Sequence, residues 1–596
     1  MTFRELIPRK HIVILLLATL FFSFLPYFNL YRQLGSQVPK LPMSVYNDAN
    51  YYFDRMEEVK DGYPFLGNPY FFEHRNELPP AFFLADWFAA IPLFFGFSMM
   101  ATAVINFFVW SLLFVLLAYL LFRLLDVLPR LSLIGSIFVY VQLYLLMIRP
   151  VSMQVVFPFF LCFMIFFIRW INDTENKKKQ IFLGLTAAFM AYIYTYAWQI
   201  IIVTLGLTPI LFFLTHRRGS LRAFFTVFGV FLLASLPLLL FTMRQIAHPL
   251  YWETIQRIGL VNTHLPTAAV FYVSIWVIAI FCLWIFLSRF DHRIGLNKES
   301  LSPFVFFTLL GLAMIVVSSS NVVSGKDLEL PQHVERFIVL WFGFTSVYSF
   351  AVLCRKRLDM HIHPLSLTAG SLLFALIFFG NVMYVYTFGV GALFDEPRTP
   401  AELRKIQGFA TPLAWLRENA KEPTVIWADP NAPFNSYVTM MTQHYVLFSA
   451  GGGLHLVGQD ELNERFLVSH YFVLTRGDLI DDYHAYAGVG NAYHGWKTHN
   501  RMVKVCQILH LDYFGHPCGE LTDRESFKGK AYFDALYKRY EKEIKPNIHE
   551  ELKKYHVAFI IHDKETDRRE FQPELISGTK LVYSDGRFSI YSLEKS

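Results

Sequence analysis

Long apolar runs separated by short polar breaks make up the first two thirds of the chain, and their lengths are those a bilayer requires. A helix crossing the hydrocarbon core needs roughly 20 apolar residues. Runs of that kind fall near 12–30, 98–121, 131–148, 152–170, 181–197, 199–215, 223–242, 268–288, 303–319, 337–353 and 366–388. The pattern predicts about eleven transmembrane helices. Residues 31–97 and 320–336 are too rich in Asp, Glu, Asn and Pro to be spans. Inside the first of these, apolar and polar residues mix at helical spacing over 48–60 and 79–95, which predicts two helices lying along the membrane surface.

After about residue 390 the pattern changes to mixed α/β. Thr424-Val425-Ile426-Trp427-Ala428 and Val557-Ala558-Phe559-Ile560-Ile561 read as buried strands, and Ser584-Asp585-Gly586 as a hairpin turn into Phe588-Ser589-Ile590-Tyr591. Helices are expected at 402–420, 434–446, 458–475 and 524–555. The expected fold is a polytopic α-helical membrane protein. Residues 1–390 form a transmembrane domain with a large first external loop, 31–97, and residues 391–596 form a soluble α/β domain.

Composition agrees with a membrane protein. The chain is 54% hydrophobic and 17% charged, with 62 Phe and 31 Tyr, too apolar for a soluble protein of 596 residues. The net charge of +6 sits in short clusters rather than one basic patch, so nucleic acid is not an expected partner. With the N-terminus cytoplasmic, every inner connection is basic: Arg123 and Arg130; Arg169 and Lys177 to Lys179; Arg217, Arg218 and Arg222; Arg289, Arg293 and Lys298; Arg355 to Arg357. An odd number of spans then places the C-terminal domain outside a plasma (inner) membrane. Arg4, Arg9 and Lys10 precede the first run, and without a small-residue cleavage pattern after Leu30 it reads as an uncleaved helix. Cys162 and Cys282 lie inside apolar runs and Cys354 ends one. Cys506 and Cys518 share a polar region, either bridged or as two free thiols. No metal framework is visible, and no cofactor is expected.

The candidate chemistry gathers outside the membrane. Asp48 could take a proton from an acceptor hydroxyl or simply cap the helix that follows. Asp54, Glu57, Glu58 and Asp61 read as a solvated acidic face. Glu73-His74 is either an acid/base pair or an interfacial contact. Arg336, in Pro331-Gln332-His333-Val334-Glu335-Arg336-Phe337 at the outer mouth of a helix, offers a planar fork suited to phosphate; Arg149, Arg244 and Arg257 are weaker candidates, and each could instead be a snorkelling interfacial arginine. His484, His494 and His499 lack zinc-ligand spacing and read as surface-loop histidines. Gly451-Gly452-Gly453 is followed by no Gly-Lys-Ser/Thr, and Gly488-Val489-Gly490 by no third glycine, so a nucleotide-driven pump is unsupported.

Asp48, Tyr51-Tyr52, Arg55, Glu58-Val59-Lys60-Asp61-Gly62, Asn68-Pro69 and Pro79-Pro80 together resemble the first external loop of the GT-C glycosyltransferase superfamily. The span count, and a C-terminal domain opening with Pro412-Leu413-Ala414-Trp415-Leu416-Arg417, extend the resemblance across the chain. It implies a polyprenyl-phosphate sugar donor, a glycan, lipid or protein acceptor, and inverting transfer on the extracytoplasmic face. In that reading Asp48 is the general base or acceptor-positioning carboxylate, with Glu73 and His74 as further acid/base candidates. Arg336, His333, Arg257 and Arg149 would grip the donor phosphate, and Tyr51, Tyr52 and Arg55 would face substrate. The oligosaccharyltransferase branch carries an Asp-x-Asp-type motif and a Trp-Trp-Asp motif. Here Arg149-Pro150-Val151-Ser152-Met153-Gln154 stands at the corresponding turn and no Trp-Trp pair occurs, which implies metal-independent transfer of a single sugar outside that branch. The alternatives are a transporter or flippase, against which stand the missing repeat and nearly charge-free spans, and a non-catalytic sugar-binding membrane protein.

Overall fold

The structure, a computed structural model, describes residues 7–35, 39–42, 48–80, 83–214, 220–266, 268–288, 303–328, 330–359, 399–472, 474–515, 517–518 and 528–593. The protein is a polytopic α-helical membrane protein with a C-terminal α/β domain. Its chain divides into two compact units, one of Met1–Tyr52, Leu84–Thr242 and Thr263–Pro400, the other of Phe53–Phe83, Met243–Asn262 and Ala401–Ser596.

In the first unit the apolar runs fold as helices, among them Arg9–Leu34, Met99–Leu124, Ser152–Ile171 and Ser220–Ile246. Six helices among the described residues are long and apolar enough to cross a membrane. Pro129–Gln142, Lys177–Ile193, Ala268–Ser288 and Leu330–Asp359 occupy further runs, and the run 366–388 lies outside the described residues. Phe225 and Leu233, 67% and 74% exposed, carry the apolar outer surface that lipid satisfies. Ser152–Ile171 is the most enclosed span, with Val155, Phe157, Leu161, Phe163 and Phe167 wholly buried. Small residues permit the closest helix contacts: a Cβ at Gly135 would lie 2.5 Å from Val347.

Two expected boundaries move. The run 131–148 breaks after Gln142 into a separate turn, Tyr144–Met147. The break expected at Trp198 falls at Tyr194, whose backbone is extended (φ −161°, ψ 113°) between Lys177–Ile193 and Thr195–Leu214.

In the second unit five strands form one sheet: β1 Val425–Trp427, β2 Tyr445–Val446, β3 Val557–Asp563, β4 Thr579–Ser584 and β5 Phe588–Leu593, in the order β2-β1-β3-β5-β4. β1 runs parallel to both neighbours and is fully buried, while β4 and β5 make the expected antiparallel hairpin. Asp585 closes its turn by accepting from the amides of Arg587 and Phe588, and Gly586 supplies the positive φ. Trp427 anchors the core against Phe472 and Phe571 and donates its indole N–H to the Ser469 carbonyl. The segment 483–508, read from sequence as a histidine-bearing loop, is largely helical as Tyr483–Val489 and Gly495–Ile508. The Phe53–Phe83 segment joins this unit through backbone as well as side chains, for the Val446 amide donates to the Tyr70 carbonyl at 3.0 Å.

Candidate functional site

Asp48 stands immediately before the helix Ala49–Lys60. Its carboxylate meets Arg149 twice, Nε to Oδ1 at 2.8 Å and Nη2 to Oδ2, and Nη2 also donates to the Tyr52 hydroxyl at 3.2 Å. The Tyr52 ring lies 5.2 Å from the guanidinium and packs edge-on against Tyr51. Arg149 is held from behind by a tight turn. The Ser152 amide donates to the Pro150 carbonyl at 2.7 Å across Val151, whose φ of 59° and ψ of −63° mark a classic γ-turn, a strained form rarely taken by a β-branched residue. Gln154 ties the next helix back to the Met147 carbonyl. Arg149 is thus nearly buried while Asp48 keeps 42% of its side chain exposed. A fixed cation orients a half-exposed carboxylate whose free side can accept from a hydroxyl.

A second group in the same unit sits where Leu330–Asp359 begins and Tyr194 breaks the helix pair. The Tyr194 hydroxyl bonds to His333 Nδ1 and accepts from Arg336 Nη1 at 3.3 Å, and the His333 ring stacks on Tyr196 with centroids 3.8 Å apart. Arg336 and His333, read from sequence as phosphate-binding, are therefore brought together by two tyrosines that sequence reasoning missed. The available signal was Tyr192-Ile193-Tyr194-Thr195-Tyr196, an aromatic run at a boundary between spans.

In the second unit, the other candidates are built into the fold. Arg257 is wholly buried at the end of Tyr251–Ile258 and donates to the carbonyls of Gly453 and Val457, each at 2.7 Å, and to Thr254 and His455. Burial lowers its guanidinium to about 10. The glycine runs serve this contact: a Cβ at Gly488, whose φ is +78°, would stand 2.1 Å from the Arg257 side chain. Arg244 is exposed on its helix.

Glu73 and His74 enter one ion-pair network. Arg465 lies between the rings of Phe71 and Tyr555, 4.3 and 4.1 Å away, and pairs with Glu73 and Glu461. His74 bonds to Glu461 at 2.9 Å and to Glu77 at 3.3 Å. Burial pushes the His74 imidazole down, but Glu461 and Glu77 outweigh it and hold it above its usual value. Against its own burial, Glu461 is drawn down to about 2 by His74 and Arg465.

The acidic face expected along Ala49–Lys60 is not solvated. Asp54, Glu57 and Glu58 are 2%, 5% and 6% exposed, and Arg55 3%. Thr439 and Tyr70 donate to Asp54, and the Tyr445 hydroxyl to Glu58 at 3.1 Å. Burial raises Asp54 to about 7 and lifts Glu58 well above the carboxylate range. Asn68 caps the join, accepting from the amides of Tyr70 and Phe71 and donating to the Gly452 carbonyl. Cys506 and Cys518 are bridged. Among the described residues no group of three or more His, Cys, Asp or Glu is arranged to hold a metal ion.

No family model matches the chain, and no curated protein matches it. Similar solved structures include the Archaeoglobus fulgidus oligosaccharyltransferase in its apo form, at 11% identity and a TM-score of 0.45 over 93% of this chain and 70% of that one. The archaeal oligosaccharyltransferase AglB from Archaeoglobus fulgidus, in complex with an inhibitory peptide and a dolichol-phosphate, gives 12% identity and 0.41 over 95% and 70%. ArnT from Cupriavidus metallidurans bound to undecaprenyl phosphate gives 13% identity and 0.43 over 96% and 98%. Likeness at this level assigns no residue a role, so the chemistry rests on the side chains described above.

Proposed function

We propose that the protein is a membrane glycosyltransferase of the GT-C type that moves a sugar from a polyprenyl-phosphate donor to an acceptor hydroxyl on the extracytoplasmic face, with inversion. The observation that carries this reading is the half-exposed Asp48 carboxylate, oriented by a nearly buried Arg149. Asp48 takes the proton of the acceptor hydroxyl as its oxygen bonds to the anomeric carbon. The bond from that carbon to the phosphate oxygen breaks, and the electron pair leaves on the polyprenyl phosphate. Arg336, with His333 and Tyr194, receives that phosphate, because a guanidinium fork matches its oxygens. Arg149 stands at the turn where an acidic metal-binding motif would otherwise lie, so cationic charge there comes from the chain itself and the transfer is metal-independent. The Cys506–Cys518 bridge and the basic inner connections support an extracytoplasmic C-terminal domain, since disulfides persist in oxidising compartments.

Asp48→Asn tests the reading. The amide keeps the shape but cannot take a proton, so transfer from a polyprenyl-phosphate sugar should fall by about 10²–10⁴-fold while donor binding stays near that of the parent. Were Asp48 only a helix cap, Asn would serve almost equally well, because the two rank together at that position. Parent-like turnover by the purified variant would remove Asp48 as the base.

A further inference from the structure

The helix Gly495–Ile508 carries an apolar face that no other part of the described chain covers. Met502, Val505 and Ile508 are 66%, 48% and 65% exposed, and the face continues into Leu509 and Tyr513, 58% and 82% exposed, while Val503 on the other side is buried. At 100° per residue Met502, Val505, Ile508 and Leu509 fall within one arc of about 120°, the geometry of an amphipathic helix. The Cys506–Cys518 bridge ties the last turn of the helix to the chain beyond the turn Leu511–Phe514. The helix Gly495–Ile508 is basic in sequence, with Lys497, Arg501 and Lys504 and no Asp or Glu, and Asp512 follows it before Tyr513. Tyr513 closes the face, a residue type that favours the headgroup boundary.

We propose that this segment is a membrane-surface anchor, its apolar face sunk into the headgroup region of an anionic bilayer whose negative charge attracts the basic helix. Apolar area plus basic flanks is what holds an interfacial helix on anionic lipid. The occupant is lipid rather than a second copy of the chain, because two such faces would bring like charges together. The protein already spans a bilayer, so the surface is supplied without a further partner. The inference does not depend on the transferase reading.

The test uses the full chain in nanodiscs of phosphatidylcholine with phosphatidylglycerol. A photoreactive benzoylphenylalanine replaces Met502 or Ile508, with Phe225 on a lipid-facing helix as positive control and the exposed Leu581 of β4 as negative control. After irradiation, peptide mass spectrometry should find lipid adducts at 502 and 508 in yields near those at 225 and several-fold above those at 581. Omitting phosphatidylglycerol, or combining Lys497→Glu with Lys504→Glu, should lower the yield at 502 and 508 several-fold and leave 225 unchanged. Absence of lipid adducts at both positions while 225 is labelled, a yield indifferent to phosphatidylglycerol, or cross-links to a second copy instead of lipid would each overturn the proposal.

Discussion

Arg149 and Arg465 both meet carboxylates, yet their surroundings are opposite. Arg149, 10% exposed, leaves its single partner Asp48 42% exposed, whereas Arg465, 0% exposed, is closed between Phe71 and Tyr555 with two carboxylates, Glu73 and Glu461, 26% and 28% exposed, on its nitrogens. The same contrast runs along one short helix. Asp48 at its head keeps an accessible face, while Asp54 and Glu58 further along are buried against hydroxyl donors. A charge that is to act on a substrate must keep one side unspent; a charge that joins segments of a fold is satisfied from every side. Accessibility, more than residue type, separates the two uses.

Breaking each arginine in turn tests the contrast most strongly. Arg465→Ala leaves Glu73 and Glu461 without their cation and should cost about 3–5 kcal/mol of stability, read as a lowered thermal midpoint of the purified protein. Arg149→Ala should shift stability by less than about 1 kcal/mol, as expected for a pair with an exposed partner, while transfer is lost. Equal losses of stability in the two variants would dissolve the distinction.

A smaller effect sharpens the assignment of the second open group. Arg336→Lys keeps the charge but loses the bidentate fork, and a charge-assisted phosphate contact is worth roughly 1.5–3 kcal/mol. Donor affinity, measured by titration with a polyprenyl-phosphate sugar, should therefore weaken on the order of tenfold to a hundredfold. Unchanged donor binding in Arg336→Ala would return this arginine to the role of interfacial anchor.

The smallest expected effect concerns the buried acids. Burial raises Asp54 from 3.8 to about 7, so between those values the folded state holds a proton that the unfolded chain has released. Stability is then greatest at the acidic end, falls as pH rises toward 7 and is flat above it, a loss of about 2 kcal/mol between pH 5 and 7. Asp54→Asn cannot ionise and should show a flatter profile with higher stability at pH 8. A parent-like slope in the variant would mean that Asp54 is not the group that titrates.

The apolar runs and the alternating strands were legible because a span or a strand is written in local periodicity, each residue's environment repeating every turn or every second position. Arg149, Arg336 and His333 could be singled out as polar residues at the ends of such runs, and Asp48 as the acid that opens the first surface helix. Pairing and burial could not be read that way. Asp48 finds Arg149 across 101 residues, and Asp54, Glu58 and Arg465 find Thr439, Tyr445 and Glu73 across 385, 387 and 392. Spacing within a short helix marks Asp54 and Glu58 as a polar face, and only the strand and helices folded against that face remove its water. The sequence by itself determined the membrane helices, the α/β pattern and which residues could carry charge chemistry. The tertiary structure alone decided which of those charges stay open and which are sealed into the fold, because desolvation depends on neighbours brought together from distant parts of the chain.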